Sequence, residues 1–111
     1  MKFKKSLPVV RLQFLIIYPG WTVTYNKFIE LNPLQLSPDD ENWLLFTQDL
    51  LQLHCGEDLL LDLGWYPEAD PSGQYRLELI KNTNWEKPLL SFSSRDKSEI
   101  TELIERITWE Y

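Results

Sequence analysis

Cysteine and histidine are nearly absent, with one of each, Cys55 and His54, in 111 residues. A lone cysteine forms no internal disulfide, which suits a reducing compartment. One histidine and one cysteine fall short of the four Cys or His ligands of a closed zinc site, and adjacent positions project in different directions. The same adjacency disfavours a cysteine nucleophile with a histidine base, so Cys55 reads as a small core residue. Carboxylates for calcium or magnesium exist at Asp58 and Asp62 and in the Glu68–Asp70 turn, but without EF-hand spacing. Glycine numbers only four, too few for a phosphate cradle plus the turns. There is no G-x-S-x-G, Walker loop or G-x-G-x-x-G. No metal, cofactor or catalytic residue is expected.

Long apolar runs are also missing, and none approaches the ~18 residues of a membrane span. The start, Met1-Lys-Phe-Lys-Lys-Ser, is basic like a signal peptide. The apolar stretch behind it is broken by Pro8, Arg11 and Gln13, and no small-residue cleavage site follows. The expectation is a cytoplasmic protein without membrane contact.

Basic residues are missing from one third of the chain. Residues 35–75 hold nine acids and no base, within a net charge of −6. Such a stretch repels phosphate backbones, so no nucleic-acid partner is expected. It would attract a basic protein, or serve as a solubilising face.

What is present fits one α+β domain over residues 1–111. Val9 to Ile17 is rich in β-formers, and Pro8 to Tyr18 reads as a strand. Pro19-Gly20 signals a turn, after which Trp21–Tyr25 should pair back as a hairpin. Phe28–Leu31 continues as a bent strand or a second short one. Ser37-Pro38-Asp39-Asp40 looks like a helix start, with Ser37 as N-cap. Trp43, Phe46, Leu50 and Leu53 recur at helical spacing, predicting about four turns ended by Gly56.

Leu59 to Tyr66 alternates: Leu59, Leu61, Leu63 and Trp65 share one strand face, and Leu60, Asp62, Gly64 and Tyr66 the other. The turn-dense segment 67–73 leads into a second alternating strand, Gln74 to Ile80. Trp85 to Phe92 reads as a third strand, with Pro88 marking an edge or a strand start. Asp96-Lys-Ser-Glu99 resembles a capping box, and Ile100, Leu103, Ile104 and Ile107 form a helical stripe. Glu99, Glu102, Glu105 and Arg106 face water. The expected order is ββ-α-βββ-α, an antiparallel sheet of about five strands with two helices packed on one face.

Aromatic residues are abundant, at 14%. Tyr18, Trp21, Trp65, Tyr66 and Trp85 sit at the ends of predicted strands, where they either cap the core or form rigid anchors beside Glu68 and Asp70. Asp62, on an otherwise apolar strand, is either solvent-facing or buried with a shifted pKa. Together with Trp65, Tyr66 or Trp85 it could line a small-molecule pocket.

The stretch Tyr18-Pro-Gly-Trp-Thr-Val, with the later hairpin and terminal helix, resembles small bacterial immunity proteins of polymorphic or contact-dependent toxin systems. One such family has a Pro-Gly-Trp-Ser/Thr-Val strand, a β-rich stretch and a terminal amphipathic helix. The shared part is about six residues plus layout, and no binding residue is carried over. The resemblance implies a non-enzymatic inhibitor that binds a basic toxin. The residues themselves leave open a basic partner at Tyr18, Trp21, Trp65, Tyr66, Glu68, Asp70 and Trp85, or self-association through the same aromatics.

Overall fold

The computed structural model describes residues 10–111. Five antiparallel strands form one sheet in the order β1-β2-β3-β4-β5. They are β1 (Trp21–Asn26), β2 (Leu51–Cys55), β3 (Leu59–Tyr66), β4 (Gln74–Lys81) and β5 (Leu90–Ser94), followed by α1 (Lys97–Glu110).

The β3–β4 hairpin follows from alternation. Leu61 pairs with Leu79, Leu63 with Leu77 and Trp65 with Tyr75, and all six are buried on one face. Ile100, Ile104 and Ile107 of α1 join the same core. Asp96 caps α1 as the sequence predicts, its Oδ1 accepting from Ser98 N at 2.9 Å, but the reciprocal half of a capping box does not form: Asp96 N donates to Ser94 Oγ at 2.9 Å instead of to Glu99.

The predicted helix between Ser37 and Leu53 does not form, so one helix packs on the sheet instead of two. Glu41–Leu45 makes a short 3-10 helix capped by Asp40, and Leu51–Cys55 is strand β2. Ser37 is not the cap; its hydroxyl donates to Asp39. The three-residue spacing of Trp43 and Phe46 equals one 3-10 turn, so it suits that helix as well as an α-helix. Leu51 and Leu53 also fit period two, and β3 needs backbone partners on its second edge. Gly56, at φ +62°, turns the β2–β3 hairpin instead of ending a helix.

The predicted first hairpin is also redrawn. Leu12 bridges Ile29, with Gln13 N donating to Phe28 O at 2.7 Å and Glu30 N to Arg11 O at 2.9 Å. Strand β1 pairs with β2 and, among the described residues, not with the segment before it. The Pro8 and Val9 portion of that predicted strand lies outside the described residues. The third strand of the later sheet begins at Leu90, because Trp85–Pro88 belongs to the turn after Asn82 and Thr83, both in the left-handed region.

Gly64 is required by contact. A Cβ there would lie 2.0 Å from Gln48 O, where the β1–β2 connection crosses β3.

Candidate functional site

The strand-end aromatics divide. Trp65 is fully buried among Trp43, Phe46 and Tyr75, with ring centroids 5.0–5.6 Å apart, and its Nε1 donates to Asp70 O at 2.8 Å. Trp21 is also buried. Neither offers a free surface for an anchor; both belong to the core. Tyr66 is half-buried under the Arg76 guanidinium, 4.4 Å from its ring centroid. Trp85 is exposed, but it follows β4 while Tyr66 pairs at the start of β4, roughly 25 Å away along an eight-residue strand.

The two acids near Tyr66 hold local structure. Glu68 Oε1 accepts from Gln48 N at 3.1 Å, which fastens the β1–β2 connection. Asp70 Oδ1 accepts from Ser72 N at 2.8 Å and from Ser72 Oγ at 2.7 Å, bonds that hold its carboxyl below the ordinary value. The acids of residues 35–75 do not form one patch. Glu57 and Asp58 lie at the start of β3, and Glu68 and Asp70 lie beyond its end.

A different surface brings aromatics and acids together along α1. Tyr18 packs against Trp109 with centroids 4.9 Å apart and the rings tilted by 60°, and Tyr18 N donates to Thr108 Oγ1 at 3.3 Å. Those two rings, with Glu102, Glu105, Arg106 and Glu110, line a cleft of about 460 Å³. A neighbouring cleft of about 190 Å³ runs between Thr101, Glu102 and Glu105 and the extended segment carrying Gln13, Phe14 and Ile16. Phe14 and Trp109 are 79% and 70% exposed. Lys97 Nζ donates to Gln13 Oε1 and Glu30 O, which pins that segment to the first turn of α1.

Comparison with protein families, with curated proteins and with solved structures finds no match.

Of the residues expected at the site, only Tyr18 lies on this surface. Trp109 was legible in principle: it falls off the Ile100/Ile104/Ile107 stripe, so a helical wheel turns it toward water. Phe14 was legible too, because Leu12, Phe14 and Ile16 share one side of an extended run, opposite Leu15 and Ile17, which pack on the core.

The open side of the sheet carries Asp62, in register with Gln52 and Glu78. Gln52 Nε2 donates to Asp62 Oδ1 at 3.0 Å. Neither of the two clefts just described, nor a third beside α1 lined by Phe92 and Leu103, is lined by Asp62, Trp65, Tyr66 or Trp85. Among the described residues no three His, Cys, Asp or Glu side chains converge as a metal site would require. No helix among them is long and apolar enough to cross a membrane.

Proposed function

We propose that the protein is a non-enzymatic, cytoplasmic binding module that docks a basic protein through the surface along α1, acting as an immunity-type inhibitor of a basic toxin. One observation carries this reading: exposed Trp109 and Phe14 stand beside Glu102, Glu105 and Glu110. Rigid aromatics supply desolvated contact area, and the carboxylates steer a cationic partner toward it. A basic nuclease-like toxin would meet both in one encounter.

A pull-down from native lysate at low and high salt tests the reading, with wild type beside W109A and E102K/E105K. A basic protein should be held at low salt and released at high salt. W109A should lose on the order of thirtyfold in affinity, the usual loss at a docking anchor. Equal retention by wild type and both variants would sink the assignment of this surface. Recovery of no basic protein would sink the partner class.

A further inference from the structure

We infer that β5 and the adjoining side of α1 form a two-fold interface between two copies of this chain, next to the surface assigned to a basic partner and sharing Glu102 and Arg106 with it. Among the described residues β5 pairs only with β4, so its far edge presents backbone N–H and C=O groups. The strand reads Leu-Ser-Phe-Ser-Ser, without charge, proline or bulge to repel another strand. Pairing about Phe92 sets Ser91 opposite Ser93 and Leu90 opposite Ser94 of the second copy, and opposes no like charges.

The helix beside β5 supports the same axis. A cleft of about 210 Å³ is lined by Phe92, Glu99, Glu102, Leu103 and Arg106. A two-fold axis at Phe92 runs the two α1 helices antiparallel past the midpoint of that set. Glu99 of each copy then faces Arg106 of the other, and the two Leu103 side chains meet near the axis. Phe92 and half-buried Leu103 continue the core's apolar edge into the seam, and Glu102 stays at the rim. The spacing also fits. The helix contacts β4 and β5, so it stands roughly 5 Å from an axis lying half a strand spacing beyond β5. Its mate is then roughly 10 Å away, an ordinary helix-packing distance. Self-complementarity of this kind is what a closed two-fold interface demands.

Sedimentation equilibrium of the full chain, with circular dichroism as a check of folding, tests the interface. Wild type should be a dimer. E99R and R106E should each weaken it by roughly tenfold or more, since each replaces two ion pairs by two repulsions. The double variant E99R/R106E should dimerise again. An equimolar mixture of the two single variants should form a heterodimer, because the charges then complement across the axis. A monomeric wild type overturns the proposal. So does a dimer indifferent to both single changes, or a loss that neither the double variant nor the mixture restores.

Discussion

Asp62 stands on the side of β3 turned away from the core, yet only 7% of its surface is exposed. Burial raises its pKa above the ordinary 3.8; the Gln52 hydrogen bond opposes this, and Asp49 and Glu78 add to it. Between 3.8 and the higher folded value, the folded chain holds a proton that the unfolded chain has lost. Stability therefore falls as pH rises through that window, and above it the buried charge carries its full cost. Asp62→Asn removes the charge and keeps an oxygen for Gln52 Nε2. The variant is expected to unfold at higher urea than wild type at pH 7, with the difference shrinking as pH falls toward 3.8. Equal midpoints at pH 7 would show that the carboxylate is well solvated. Trp65 makes the related point for an apolar side chain: its position at a strand end is visible in the sequence, but its burial depends on Trp43 and Phe46 arriving from the β1–β2 connection.

At the scale of elements, α1 is the clearest local unit. Its stripe at Ile100, Ile104 and Ile107 faces the core, and Asp96 accepts from the N–H of Ser98. Asp96→Ala is expected to cost about 1 kcal/mol, through the lost cap and the lost negative charge at the positive end of the helix. Thermal unfolding followed by far-UV circular dichroism measures it; an unchanged midpoint would mean that water caps the helix equally well. The β3–β4 hairpin was equally legible, because Leu61/Leu79 and Leu63/Leu77 carry period two on both strands. Segment 37–55 was not. Its apolar spacing satisfies three, 3.6 and two residues in turn, and only the free edge of β3 selects a strand for Leu51–Cys55.

Over the whole molecule, one core cluster joins Trp21 of β1, Phe28 and Phe46 of the connection, the central strands and the α1 stripe. Tryptophan fluorescence, to which buried Trp21, Trp43 and Trp65 contribute, should therefore follow the same unfolding curve as the helical circular dichroism signal. An earlier loss of the helical signal would show α1 leaving as a separate unit. The candidate surface was only partly legible at this scale. The acids of residues 35–75 are close in sequence but scattered in space, with Glu57 and Asp58 before β3, Asp62 within it and Glu68 and Asp70 beyond it, whereas the carboxylates of α1 line up because the helix repeats every 3.6 residues. The α+β class, the β3–β4 hairpin, the cap and stripe of α1 and the acidic balance are all readable along the chain, since each is a matter of composition or of residues within one or two turns or strands of each other. Long-range packing is what makes Leu51–Cys55 a strand, buries Trp21 and Trp65, and brings Tyr18, Trp109 and Phe14 onto one surface. Those outcomes depend on which distant backbone edges and apolar faces find each other, and local periodicity carries no record of that choice.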